Sequence, residues 1–182
     1  MLQFLKPLPR KLNNTPCRLF VTTLDNNEIN RFSGWSNDWW NPNGTMRALH
    51  DINPPRLIKV REILCSHFQL DPLAVKPLTG LKIVDVGCGC GLLSESLARL
   101  GGNVTGVDPS SSNVVVASTH ANLDGSLPNC NFELSSAEQL VDEGKLYDVV
   151  ISLEVIEHVS NMALFLTSCA SLLSVSIYFI TR

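Results

Sequence analysis

The stretch LKIVDVGCGCG, residues 81–91, constrains the fold of this chain most strongly. A short apolar run with one embedded acid, Asp85, breaks into Gly87, Gly89 and Gly91, which are separated by two cysteines. A run of this length bounded by glycine reads as a buried strand, and the glycines let something approach the backbone closely. The alternation then continues. LLSESLARLGG reads as a helix, NVTGVD as a strand and SNVVVASTHANLDG as a helix despite its β-branched residues. NCNFELSS follows as a strand, AEQLVDEG as a short helical turn, YDVVISLEV as a strand, NMALFLTSCASLL as a helix and VSIYFIT as a last strand. Continuously apolar strands alternating with helices predict an α/β fold, a parallel sheet flanked by helices on both faces. Ligands of such sheets sit at the carboxyl ends of the strands, near the switch in strand order, which is where the glycine loop falls.

The region before the loop divides in two. Residues 25–79 form an N-terminal helical and loop segment, rich at first in Trp, Asn and Pro; within it NPPRLIKVREILCSHF has helical spacing and predicts a helix beginning around Pro55. Residues 80–182 form the α/β domain. Residues 1–24 hold Lys6, Arg10, Lys11 and Arg18 and no acid. That is the charge bias of a mitochondrial presequence, although Pro7, Pro9 and Pro16 interrupt any long amphipathic helix; a disordered basic tail is the other reading. The rest of the chain carries 10 of the 14 basic residues against all 17 acidic ones. So acidic a domain is a poor partner for nucleic acid, whose phosphates are bound by clustered Lys and Arg. The six cysteines include only one close pair, Cys88 and Cys90, and no second pair to complete a zinc site, so free thiols are expected.

Two kinds of cofactor compete for the loop. A dinucleotide fingerprint is G-x-G-x-x-G, and here position 92 is Leu, so the pyrophosphate spacing fails. S-adenosylmethionine needs close backbone approach without a diphosphate cradle, which suits G-x-G-x-G at Gly87, Gly89 and Gly91. Asp108 closes the second strand about 20 residues further on, where a carboxylate can accept both ribose hydroxyls. The plainer reading makes Asp108 a cap for the following helix. Ser136 and Ala137 follow the third strand, where the adenine should lie, and Leu153 ends the fourth, at the adenosine end. Asp85 is assigned no chemistry.

SLEVIEHVSN, residues 152–161, brings a second cluster: Glu154, Glu157 and His158. At helical spacing these three share a face. Two carboxylates and an imidazole suit Mg²⁺, with Mn²⁺ or Zn²⁺ as alternatives, and a cation there would chelate and acidify a catechol. Without a metal, His158 is the candidate general base, with Glu154 beside it. The competing reading has the acids favouring a helix dipole and His158 packing locally.

From about Phe32 to Leu173 the chain resembles the ubiquinone-biosynthesis O-methyltransferases, enzymes of the Rossmann-like class I methyltransferase fold. The resemblance rests on WW at Trp39–Trp40, LHDINPPR at 49–56, VDVGCGCGLLSESLARLG at 84–101, VTGVD at 104–108 and YDVVISLEVIEHV at 147–159. It implies S-adenosylmethionine-dependent methylation of catechol hydroxyls on polyprenylated intermediates. It further implies that Arg56 contacts the methionine carboxylate and that Gly87, Asp108 and Leu153 line the cofactor pocket. Glu154, Glu157 and His158 become ligands of a divalent cation. Family members of this type act in a ubiquinone-biosynthesis protein complex, peripherally on the matrix side of the mitochondrial inner membrane, which agrees with the basic N-terminus.

After CASLL the family continues through a K-P-G-G-type turn into further strands, whereas here SVSIYFITR follows directly. The last strands and much of the acceptor wall are therefore expected to be missing, as in a truncated or alternatively spliced form or a fragmentary gene model. Two other functions stand beside the enzyme: a non-catalytic cofactor-binding or scaffold form, and a methyltransferase for another small acceptor.

Overall fold

The computed structural model describes residues 22–174 and 179–180 of the chain. The basic stretch 1–21, Cys17 and most of the VSIYFIT strand lie outside the described residues. Within them the strands are β1 (Lys82–Val86), β2 (Asn103–Asp108), β3 (Cys130–Leu134), β4 (Val149–Ile151) and β5 (Phe179–Ile180). The helices are α1 (Asn26–Ser33), α2 (Arg47–Phe68), α3 (Leu92–Arg99), α4 (Ser111–Leu123), α5 (Ala137–Asp142) and α6 (Met162–Ser171). The strands form one sheet in the order β3-β2-β1-β4-β5, every pair parallel. Strand order reverses between β1 and β4, so the loop after β1 opens at the switch point.

Strand alternation decides which side chain meets which helix layer. Ile83 and Ile151 point to one face and pack with Leu64 of α2 and Leu97 of α3. Val84, Val86 and Val150 point to the other and pack with Leu140 of α5 and Phe165 and Cys169 of α6. Both faces are buried, as the apolar strands predicted. Each fully buried Leu or Ile contributes about 1.5–3 kcal/mol relative to exposure.

Two expected boundaries move. The helix read from Pro55 begins at Arg47 and carries Pro54 and Pro55 inside it. Neither proline has the N–H that would reach back one turn. The turn before them is held by tertiary contacts instead: Met46 and Leu49 pack with Trp39, and His50 Nε2 donates to the Trp39 carbonyl at 2.8 Å. The strand read over YDVVISLEV is only Val149–Ile151 long. Ser152 Oγ donates to the Val86 carbonyl at 3.0 Å, and Glu154 turns the chain through a left-handed φ of 58°.

Leu64 is fully buried between α2 and the sheet. Leu64→Ala should cost about 2–5 kcal/mol of stability, the range for a leucine cavity that closes incompletely. Urea unfolding followed by circular dichroism measures it, with an unchanged slope expected.

Candidate functional site

A cavity of about 370 Å³ opens at the carboxyl ends of β1, β2 and β4. That is the size of a small-molecule site. Its floor is the glycine loop. Gly87, Gly89 and Gly91 have φ of 77°, 54° and 91°, a run of left-handed backbone that side-chain-bearing residues rarely adopt. Space is as restrictive as conformation. A Cβ on Gly87 would meet Val155 Cγ2 at 2.4 Å, one on Gly89 would meet Trp39 Cζ2 at 2.5 Å, and one on Gly91 would meet Phe132 Cζ at 2.7 Å.

Asp108, buried at the end of β2, holds this loop in place. Its Oδ2 accepts the Gly89 N–H at 2.9 Å; its Oδ1 accepts the Ser110 N–H at 2.9 Å and Asn113 Nδ2 at 3.2 Å. One carboxylate thus ties the loop to the start of α4. The cap of α4 is not Asp108 but Ser110, whose Oγ accepts the Asn113 N–H at 3.3 Å; Asp108 braces that cap from the end of β2 and faces the cavity. Asp85 sits beneath the loop, fully buried, and accepts Ser94 Oγ from α3 at 2.6 Å. Burial raises its pKa to about 6, against the Ser94 hydrogen bond, and the nearby charge of Asp108 adds to the rise. Burial disfavours the thiolate form of both loop cysteines. Burial pushes Cys88 well above the ordinary thiol range, and burial with the Asp108 charge pushes Cys90 up to about 12.

The cavity is roofed by the N-terminal segment. Trp39 lies on Gly89, and Trp40 Nε1 donates to the Cys90 carbonyl at 3.0 Å. The Trp40 ring stacks on His120 of α4, 3.4 Å between centroids and 4° from parallel. His120 Nδ1 is 2.6 Å from Oε1 of the fully buried Glu95, whose Oε2 accepts Arg99 Nη2 at 2.9 Å. At the other end, Thr23 Oγ1 donates to Glu138 at 2.9 Å, and the Thr23 carbonyl accepts the Ser160 N–H at 3.0 Å. Sequence reasoning assigned no role to Thr23, Glu28, Glu95 or His120, and used the two tryptophans only as a motif. The Trp-rich stretch was the available signal, but nothing local says which ring faces a cavity.

Arg56, Leu153, Glu154 and His158 line the cavity with the loop, as do Ser136 and Ala137. The shared helical face expected for Glu154, Glu157 and His158 is not formed. Glu154 has left-handed backbone, and only Ile156–His158 makes a single 3-10 turn. The Glu154 carboxylate pairs with the Arg56 guanidinium, His158 Nδ1 lies 2.7 Å from Glu28 Oε2 on α1, and Glu157 is exposed. Among the described residues no three His, Cys, Asp or Glu side chains converge on a point that would hold a metal ion. As arranged, these three side chains do not fit a divalent cation. Five cysteines, Cys65, Cys88, Cys90, Cys130 and Cys169, are free and buried.

Known proteins share this architecture. The family described as "Methyltransferase domain" matches residues 84–180. The chain is 44% identical over 151 residues to the ubiquinone biosynthesis O-methyltransferase of Rhizobium leguminosarum bv. trifolii (strain WSM2304), covering 83% of this chain and 59% of that protein. It is 47% identical over 152 residues to the mitochondrial ubiquinone biosynthesis O-methyltransferase of Arabidopsis thaliana, covering 84% of this chain and 47% of that one. The chain thus spans about three fifths or less of the length of these curated relatives. Among solved structures it is similar to magnesium protoporphyrin IX methyltransferase from Synechocystis PCC 6803 with bound SAM. The TM-score is 0.64 at 26% identity, over 85% of this chain and 74% of that one. The plantazolicin methyltransferase in complex with SAH shares the fold alone, with a TM-score of 0.51 at 18% identity over 85% of this chain and 59% of that one.

Asp85 gives the site a pH signature. Its folded pKa of about 6 lies above the ordinary carboxylate value of 3.8, so the folded state binds the extra proton between those limits. Its contribution to stability is therefore greatest below about pH 4 and declines by about 3 kcal/mol in all as pH rises through 6. Asp85→Asn should remove that decline. Urea unfolding of both proteins across pH 4–7 reads it as a difference in slope.

Proposed function

The chain belongs to the methyltransferase-domain family, and from that premise we propose that it acts as an S-adenosylmethionine-dependent O-methyltransferase of ubiquinone biosynthesis. The observation that carries this reading is the glycine loop, held in left-handed backbone against Asp108 on the floor of a cavity that Arg56 also lines. The likeness to relatives named for that reaction supports the acceptor class, a catechol hydroxyl on a polyprenylated ring. When bound, S-adenosylmethionine supplies a methyl group on a positively charged sulfur. The loop backbone at Gly87 and Gly89 faces the cofactor, Gly91 completes the turn against Phe132, and Asp108 accepts from the ribose. Arg56 holds the methionine carboxylate, a role that sets the incoming carboxylate in competition with Glu154 for the guanidinium. The roof built from α1 and Trp39 keeps water from the sulfonium. His158, whose Nδ1 lies 2.7 Å from Glu28 Oε2, is the residue proposed to draw the proton from the acceptor hydroxyl.

The setting is proposed on the same basis. The basic N-terminus and the mitochondrial name of the Arabidopsis relative support a mitochondrial location. A polyprenylated substrate resides in a membrane, which favours peripheral association with the matrix side of the inner membrane and a place in a ubiquinone-biosynthesis complex. Among the described residues no helix is long and apolar enough to cross a membrane.

Two measurements test the proposal. Isothermal calorimetry with S-adenosylhomocysteine should detect binding, and Asp108→Ala should weaken it by about 1.5–3 kcal/mol, the value of hydrogen bonds to a charged group. Unchanged affinity in a folded variant would overturn the loop's assignment. Incubation with S-adenosylmethionine and a prenylated catechol should add one methyl group by mass spectrometry. Cofactor binding without transfer would favour the non-catalytic reading, and transfer only to unrelated acceptors would favour the other-substrate reading.

The divalent cation, Mg²⁺ with Zn²⁺ or Mn²⁺ as substitutes on Glu154, Glu157 and His158, is supported by the sequence resemblance alone. A cation bound there requires Glu154 to leave Arg56 and His158 to leave Glu28. If this part of the proposal holds, EDTA abolishes transfer and added Mg²⁺ restores it. Full activity in excess EDTA would remove the cation and leave His158 as a base without a metal.

A further inference from the structure

Among the described residues of the cavity lining, Arg56 is the sole arginine or lysine, and it is already engaged. Its guanidinium pairs with the Glu154 carboxylate, the two side chains being 23% and 25% exposed. Asp25, Glu28, Asp85, Asp108, Glu138 and Glu154 line the same cavity. A ligand that carries a carboxylate has one strongly favourable place to put it, and a carboxylate of the protein itself holds that place.

The two partners are not held alike. Arg56 belongs to the long helix α2, which Val60 and Leu64 anchor to the sheet. Glu154 stands between β4 and the 3-10 turn Ile156–His158, with a left-handed φ of 58°. A residue with a side chain adopts that backbone at a cost, which its surroundings must offset. Glu154 is therefore the partner that yields. A quarter of its side chain is exposed, so water can receive the carboxylate once Arg56 is taken. Keeping both carboxylates on one guanidinium would set like charges side by side in a wall already rich in acid.

We propose that Glu154 is an affinity-setting residue: it stands in for the ligand's carboxylate on Arg56, is displaced when the cofactor binds, and returns as the product leaves. The proposal rests on the S-adenosylmethionine reading of the cavity, in which Arg56 takes the methionine carboxylate, and adds to that site an internal competitor. Cofactor and product carry the same carboxylate, so the competition weakens both alike. Contacts made equally to both do not lower the barrier to methyl transfer, whereas a tightly held product slows turnover. The Arg56–Glu154 pair replaces the contact that the departing product gives up.

Calorimetry on the full chain tests this with S-adenosylhomocysteine and its decarboxylated analogue, which keeps the amine and lacks the carboxylate. Glu154→Gln removes the competing charge with little change of volume. It should tighten S-adenosylhomocysteine about tenfold, the worth of a hydrogen bond to a charged group. The decarboxylated analogue should gain nothing. In an Arg56→Gln background the same substitution should leave S-adenosylhomocysteine affinity unchanged, because no guanidinium remains to contest. Glu154→Asn, whose side chain tolerates left-handed backbone, should reproduce the gain if Glu154→Gln disturbs folding. Equal gains for both ligands, or a gain that survives in Arg56→Gln, mean that Glu154 acts by repulsion at a distance and overturn the proposal. Unchanged or weaker S-adenosylhomocysteine binding means that Glu154 does not obstruct the ligand and overturns it as well. S-adenosylhomocysteine bound by none of these proteins overturns the cofactor reading itself, so the two failures are distinguishable.

Discussion

The buried carboxylate of Asp108 is the contact on which the rest of the site depends. It accepts the Gly89 N–H from the loop and the Ser110 N–H and Asn113 amide from the start of α4. Burial raises its pKa, while those same three donors favour the charged form. A neutral side chain could fill the volume but could not accept from three directions. The interaction joins the ends of two neighbouring strands, because β2 delivers the acid and β1 delivers the loop. Gly89 in turn takes Trp39 against its bare Cα, so the floor determines where the roof can rest.

The roof is held from both ends by polar contacts that the domain itself presents. Glu95 is completely buried on α3, where an unpaired charge would be costly. Arg99 and His120 pair with it, and the His120 ring then offers a flat face to Trp40. An internal charge network thereby becomes a docking surface for the N-terminal segment. Thr23, Glu138 and Ser160 close the far end. The electrostatics of the cavity follow a simple division: acids lie below and beside it, and among the described residues of its lining Arg56 is the arginine, paired with Glu154.

Much of this architecture is legible in the sequence. NVTGVD matched β2 residue for residue, and the helix after it was placed within about two residues in spite of Val114, Val115 and Val116. The loop and Asp108 were legible because both are local: glycines at alternate positions and an acid at a strand end are patterns of one chain segment. The helix around Pro55 was read too short because proline usually marks a first turn, whereas Met46, Leu49 and His50 hold an earlier turn through contacts with Trp39. The face assigned to Glu154, Glu157 and His158 assumed continuous helix. A single left-handed residue at 154 removed that assumption and sent the three side chains to different neighbours.

The sequence by itself determined what depends on spacing along the chain: parallel strands buried on both faces, a glycine loop at a strand end, and an acid placed to meet it. The physical reason is that strand and helix periodicities and glycine's backbone freedom act over a few residues. Only the tertiary structure decided what depends on pairs far apart. It set Arg56 against Glu154, Glu28 against His158 and Trp40 on His120, and it packed the Trp39 ring on Gly89. Those choices follow from which charges and rings the crossovers bring within a few ångströms of one another, and no local pattern encodes that distance.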